Sequence, residues 1–268
     1  MEAACMEITI LGSGTSTGVP MLGCSCDVCR STDPHNCRTR CSALISYRGQ
    51  QIVIDTGTDF RQQALRAGIG QIDAVLYTHA HADHVHGIDD LRAFNMSSGG
   101  AAIPIYGLPS TMDLIRRNFR YIFGDEVASK FRPRLVPWDL GGNFSLCGLP
   151  VEPLFLQHGP GSSCGYRIGS FAYVTDCNGI SESTMSRLQQ LELLVIDGLR
   201  FSSHPTHFSV DEAIAVSARL GARRTVLTHI CHEVEHQRDT AKLPSGVEFA
   251  YDGQRFTLPL PPNHSLQE

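Results

Sequence analysis

The sequence predicts a mixed α/β chain in which two β-sheets pack face to face with helices on their outer surfaces. Three observations carry that expectation. Short β-branched apolar runs come in bunches along the 268 residues, helical patterns fall between them in both halves, and no internal repeat or low-complexity linker interrupts the order. A composition of 42% hydrophobic and 18% charged residues gives a chain of this length a sizeable core. We read one domain over residues 1–260, followed by a polar, Pro-rich tail at 261–268 that frays.

The elements follow in order. "EITIL" (7–11) is the first strand, and the turn after it, "GSGTSTGVP" (12–20), lacks the Lys-Ser/Thr pair of a nucleotide-binding P-loop. "ALISY" (43–47) and "QIVID" (51–55) flank Arg48-Gly49 and predict a hairpin. A helix over 59–67 stops at Gly68. Strands "AVLYT" (74–78) and "IPIY" (103–106) enclose a helix starting near His86, and a helix over 110–123 has Ser110 as its N-cap. The second half reads "VEPLFL" (151–156), "CGYRI" (164–168), a tight turn at Gly169, "FAYVT" (171–175), a helix over 181–191 and "ELLVID" (192–197). A helix over 209–221 has capping-box spacing between Ser209 and Glu212 and stops at Gly221. "RTVLTH" (224–229), "VEFAY" (247–251) and "RFTLP" (255–259) complete the strands.

A formal net charge of −5 offers no global basic field to a nucleic acid duplex or an anionic membrane. The start, "MEAACMEITI", has no cationic region ahead of an apolar run, and no stretch is apolar for the roughly 18–20 residues that span a bilayer. A cytoplasmic location is expected. In that setting ten cysteines point to metal ligation or buried thiols rather than disulfides.

Chemistry concentrates in "THAHADHVHG" (78–87), whose core is His79-x-His81-x-Asp83-His84 directly after an apolar strand. Alternate residues at a strand end point the same way, so His79 and His81 can grip one ion while Asp83 and His84 face a neighbouring position. Imidazole nitrogen with carboxylate oxygen suits Zn, Mn or Fe. Further ligands are expected at other strand ends. His158 closes "VEPLFLQH", Asp176 closes "FAYVTD" and His229 closes "RTVLTH". His86 fits no ligand spacing and belongs on a helix surface. A second cluster, Cys24-x-Cys26-x2-Cys29 in the loop 23–41, can wrap one tetrahedral Zn if a fourth ligand comes from elsewhere. His232 in "THICH" is the first choice, with Cys231, Cys37 and Cys41 as rivals and free or redox-active thiols as the alternative. His207, in the loop ahead of the capped helix, has the chemistry of a general acid near neutral pH, and His204 is read as a surface residue.

In these residues the chain resembles the metallo-β-lactamase superfamily, from "ITILGSGTSTGVP" to "LTHICH". The resemblance implies a four-layer αββα sandwich with two divalent ions along one edge. His79, His81 and His158 would hold one ion, Asp83, His84 and His229 the other, and Asp176 would bridge them. Asp55 in "VIDTG" would orient a ligand imidazole. The cysteine cluster, "THICH" and "HPTHFSVDEA" together resemble phosphoribosyl cyclic phosphodiesterases of the PhnP type. That resemblance implies a structural Zn on Cys24, Cys26, Cys29 and His232, His207 as the acid beside the catalytic carboxylates Asp176 and Asp83, and Mn or Zn in the active site. The implied substrate is a small cyclic phosphodiester such as 5-phosphoribosyl 1,2-cyclic phosphate, opened by hydroxide held between the two ions.

The chain departs from that pattern in a long segment at 114–134. Leu114, Ile115, Phe119 and Phe123 would form its buried stripe, leaving Arg116 and Arg120 on another face, where the segment either covers the site and offers an Arg to a second phosphate or is simply a solvated helix face. Rival readings are a transfer-RNA 3′-processing nuclease, a thioester or lactone hydrolase, and a non-catalytic metal-binding module. The nuclease needs an RNA-gripping arm, and the sequence holds no Gly- and Lys-rich excursion. A homodimer stays open.

Overall fold

The computed structural model describes residues 5–124 and 131–259. The tail at 261–268 and the middle of the 114–134 segment lie outside the described residues. Six strands form most of the first sheet: β1 (Cys5–Gly12), β2 (Ser42–Tyr47), β3 (Gln50–Ile54), β4 (Ala74–Leu76), β5 (Ile103–Gly107) and β6 (Leu135–Asp139). The second sheet holds β7 (Phe144–Leu146), β8 (Leu149–His158), β9 (Gly161–Ile168), β10 (Phe171–Val174), β11 (Gly179–Ile180), β12 (Leu193–Asp197), β13 (Thr225–Thr228) and β14 (Val247–Phe249). The last strand, β15 (Arg255–Pro259), returns to the first sheet beside β1, giving the order β15-β1-β2-β3-β4-β5-β6. The second sheet runs β11-β8-β9-β10-β12-β13-β14, with β7 on β8. Strands β3 to β6 are mutually parallel, as are β10, β12, β13 and β14.

Strand alternation builds the layers. Ile52 and Ile54 on β3, and Ala74 and Leu76 on β4, join Leu154, Tyr166, Tyr173 and Ile196 in the core between the sheets. Their neighbours Val53 and Val75 point to the other face, where they pack with Phe60, Leu91, Met112 and Ile115. Those four come from α1 (Phe60–Ala67), α3 (Leu91–Ser97) and α4 (Pro109–Asn118), with the short α2 (Ala82–Val85) ahead of α3. The chain continues through α5 (Arg120–Phe123), α6 (Glu182–Ser186), α7 (Val210–Leu220) and α8 (His236–Thr240). The result is the αββα sandwich.

Local chemistry sets the boundaries. Tyr47 pairs with Gln50 across Arg48 (φ 48°) and Gly49 (φ 78°), the two-residue left-handed turn that suits strand twist. Gly68 and Gly221 end α1 and α7 in left-handed backbone, and α7 carries the full capping box of Ser209 and Glu212. Three helix expectations are corrected. The helix expected to start near His86 is α3, which begins at Leu91, and a separate single turn, α2, precedes His86 and holds Asp83 and His84. The helix expected over 110–123 starts at Pro109, whose ring suits a first helical turn, and breaks at Phe119 (φ −112°, ψ 48°). The helix capped by Ser181 ends at Ser186.

Candidate metal centre

The parallel strands β3, β4, β10, β12 and β13 deliver their C-terminal ends to one edge, and every ligand-type residue there follows an apolar run. Asp55 follows β3, the 79–84 turn follows β4, His158 ends β8, Asp176 follows β10, Asp197 ends β12 and His229 follows β13. Side-chain ligand atoms of His79, His81 and His158 lie within 4.8 Å of one another, as do those of Asp83, His84, Asp176 and His229. Asp176 adjoins both groups. Its Oδ1 is 3.9 Å from His79 Nε2 and 3.3 Å from His229 Nε2, and its Oδ2 is 3.2 Å from His84 Nε2.

The imidazoles are aimed by partners on their other nitrogens. His84 Nδ1 meets Asp55 Oδ2 at 2.7 Å, and that carboxylate also accepts from Thr78 N and Oγ1 at 2.8 and 2.7 Å. His158 Nδ1 meets the Thr206 carbonyl at 2.9 Å, and His79 Nδ1 meets Thr78 Oγ1 at 3.0 Å. Such bonds fix tautomer and ring direction. They leave Nε2 of His79 and His84 buried with no hydrogen-bond partner, and Nε2 of His229 is in the same condition. Unpaired buried nitrogens cost free energy unless a cation takes their lone pairs. The electrostatics agree. Burial opposes charge on His84, yet Asp176, Asp55 and Asp83 hold its pKa well above the ordinary value. Burial equally disfavours the Asp176 carboxylate, yet His229 and His84 hold its pKa well below the usual range. A crowd of buried carboxylates that draws protons onto imidazoles is one that divalent cations can neutralise. The residues fit divalent cations.

The cysteine cluster closes in the same way. Sulfur and nitrogen atoms of Cys24, Cys26, Cys29 and His232 lie within 4.8 Å of one another, and His232 Nδ1 is 3.2 Å from Cys24 Sγ and 3.4 Å from Cys26 Sγ. The Cys29 backbone N–H, then His232, pull the Cys26 thiol down to about 6, while burial pushes the neighbouring Cys29 thiol up to about 11. Of the rivals for the fourth position, Cys41 is buried against Thr228, and among the described residues neither Cys231 nor Cys37 joins the group.

His207 stands beside the first cluster. One of its ring nitrogens lies within 4.8 Å of ligand atoms of His158 and Asp176, and its ring stacks on His229 with centroids 4.4 Å apart. His207 Nδ1 meets Asp197 Oδ2 at 2.7 Å, and Asp197 is fully buried. Sequence reasoning passed over Asp197, although "ELLVID" carries the same strand-then-Asp signature as "QIVID" and "FAYVTD". His204, expected on the surface, is half-buried with its ring centroid 5.2 Å from that of His207. His86 is exposed, with its ring edge-on to Phe119. The expectation for the 114–134 segment is corrected at Leu114, which is 41% exposed and off the buried stripe, and Arg116 forms surface ion pairs with Asp113 at 3.1 Å and Asp139 at 2.9 Å.

Fold and edge together define the class: this is a protein of metallo-β-lactamase hydrolase fold, and the family model described as Beta-lactamase superfamily domain matches residues 50–230. A crystal structure titled as a new diphosphatase from the PhnP family is 39% identical, with a TM-score of 0.90 and coverage of 96% of this chain and 98% of that one. Within the superfamily the chain belongs to the PhnP family. A protein of Porphyromonas gingivalis named octanoyltransferase is 41% identical over 92% of this chain and 51% of its own length, so the chain spans about half of that relative. Zn-bound PqqB from Methylobacterium extorquens shares the fold at 21% identity, with a TM-score of 0.77 and coverage of 93% and 99%.

Proposed function

We propose that the chain is a metal-dependent phosphodiesterase that opens a small cyclic phosphodiester of the phosphoribosyl 1,2-cyclic phosphate class. In this reading His79, His81 and His158 hold one divalent ion, Asp83, His84 and His229 a second, and Asp176 spans both, with Mn or Zn as the ions. Cys24, Cys26, Cys29 and His232 hold a structural Zn. Divalent ions in such a site supply Lewis acidity to phosphoryl oxygens and make water nucleophilic near neutral pH.

The observation that carries the reading is the Asp197–His207 pair, 2.7 Å long, beside the ligand groups. Opening a cyclic diester adds water to phosphorus and breaks one P–O bond, and the departing sugar oxygen is a strongly basic alkoxide that needs a proton. Asp197 accepts from His207 Nδ1, so Nε2 is left to carry that proton and deliver it. Asp176 and Asp83 bring negative charge to the ions and fix their positions. Diphosphate cleavage is the second reading, favoured by the likeness to the PhnP-family diphosphatase. Its leaving phosphate is a weaker base and depends less on an acid.

The test is a panel of a cyclic phosphodiester, a diphosphate, model thioesters and lactones, and pre-transfer-RNA. The cyclic diester is expected to turn over. His207→Ala should retain the bound metal and lower that rate roughly 10²–10⁴-fold, with a much smaller effect on diphosphate. Asp176→Ala should abolish turnover with loss of metal. An unchanged rate on the cyclic diester in His207→Ala would remove the acid. Diphosphate turnover alone would move the substrate class, cleavage of pre-transfer-RNA would favour the nuclease, and no hydrolysis with Mn, Zn or Fe would favour a non-catalytic module.

A further inference from the structure

His229 is held unlike the other buried histidines of the site. Nδ1 of His84, His158 and His79 each meets an oxygen, whereas both ring nitrogens of His229 lack a hydrogen-bond partner. A ligating imidazole is ordinarily oriented through its second nitrogen. The rings of His207 and His84 stack on it and the Asp176 carboxylate lies 3.3 Å from Nε2, but no bond at the second nitrogen orients it, so its direction depends on its own backbone, which sits in the left-handed region at φ 59°.

That backbone begins the 229–236 segment, and what grips the segment comes from far away in the sequence. Ile230 N donates to the Ser13 carbonyl at 2.9 Å, and Thr15 N donates to the Ile230 carbonyl at 3.2 Å. Beyond Ile230, Cys231 N donates to the Leu199 carbonyl at 3.0 Å, and the carbonyl side of the segment is held by Arg38, which is 1% exposed. Its Nη1 donates to the carbonyls of Cys231 at 3.2 Å and Val234 at 3.0 Å, and its Nη2 donates to Asn36 Oδ1 at 3.0 Å. Asn36 extends the grip, since its Nδ2 donates to Glu235 Oε1 at 2.7 Å and its Oδ1 accepts from His236 N at 2.9 Å. Arg38 is itself anchored, exchanging backbone hydrogen bonds with Val19 at 2.7 and 2.9 Å. Among the described residues its guanidinium forms no ion pair, so its burial serves the carbonyls it touches. Those carbonyls flank His232, which faces the cysteines, and lie just after His229.

We propose that Arg38 is a positioning residue for the active-site ions: its hydrogen bonds to Cys231 and Val234 set the path on which His229 enters the group of Asp83, His84 and Asp176. The inference rests on the ligand set proposed above. A lysine ammonium cannot reproduce the planar fork that spans two carbonyls and an amide.

The test uses the full chain, stripped by chelation and titrated with cobalt(II), in wild type, Arg38→Met and Arg38→Lys. Cobalt on thiolates gives an intense near-ultraviolet charge-transfer band, and cobalt on imidazole and carboxylate gives only weaker visible bands, so the two centres are read apart. Both variants should keep the thiolate band. Affinity for one of the two ions without thiolate ligands should fall roughly 10–100-fold in Arg38→Met and less in Arg38→Lys, and kcat should drop with KM little changed. Wild-type affinity for both ions in the variants overturns the proposal. If Arg38→Met fails to fold, Arg38→Lys decides alone, and loss of its thiolate band would mark a general collapse and equally overturn the role. Wild-type protein that takes up cobalt only on thiolates sinks the ligand reading itself, an outcome distinct from unchanged affinity in the variants.

Discussion

Asp55, Asp176 and His229 follow β3, β10 and β13 and share a left-handed backbone, with φ of 62°, 54° and 59°. Non-glycine residues rarely hold that conformation, and here the kink turns each side chain off its strand and into a common gap. Asp55 acts through His84. With Asp55→Ala the imidazole loses the bond at Nδ1, and metal affinity measured by competition with a chelator should fall roughly 10–100-fold. The sequence made these residues legible because each is a ligand type closing an apolar run. Asp197 has the same signature and was missed because its task is to hold His207, ten residues on, and no spacing rule connects a base to the partner a loop brings back. The unpartnered nitrogens of His229 have no sequence signal at all.

Among the elements, α7 carries the clearest local instructions. Ser209 and Glu212 cap each other's backbone, and Ser209→Ala should cost about 1 kcal/mol, read from denaturant midpoints. Hydrogen bonds from Ser209 hold the Glu212 carboxyl below its ordinary pKa. Its contribution is therefore complete above the unfolded-state pKa and is lost as the pH falls through the lower folded value, so the Tm gap between wild type and Glu212→Ala should close on acidification. Gly57 does a different job: a Cβ there would lie 1.9 Å from the Asp83 carbonyl oxygen in α2. Gly57→Ala should push α2 outward and weaken metal binding and thermal stability together, measured by metal titration and Tm. The strands that sequence reasoning did not find are β6, β7 and β11. β6 is an exposed edge strand interrupted by Pro137, and the other two have three and two residues, too short for a period to register. The single turn of α2 was hidden because a histidine-rich turn carries no helix signal.

At the scale of the whole molecule, the site straddles two sheets. His79, His81, Asp83 and His84 come from the first, and His158, Asp176 and His229 from the second. Ions bound there would act as ligands of the folded state alone. Exhaustive chelation should lower Tm, by the equivalent of about 4 kcal/mol for an ion present at a thousand times its Kd. A first, easily removed pair and one resistant ion per chain, counted by elemental analysis, is the expected stoichiometry. The sandwich itself was legible because alternation and helical periodicity are statements about burial, which a sequence records at every position. Which strand lies beside which is set by packing between distant segments, and β15 beside β1 shows how far apart those can be.

That closure has a kinetic side. Neither ligand group is complete before residue 158 has been made, the second must wait for His229, and the strand that completes the first sheet is among the last pieces of the described chain. Under the proposed ligand set, ion capture would therefore come too late to guide early collapse. It would follow assembly, and metal uptake should lag the burial of Tyr166 and Tyr173, both fully buried between the sheets, followed by tyrosine absorbance or fluorescence.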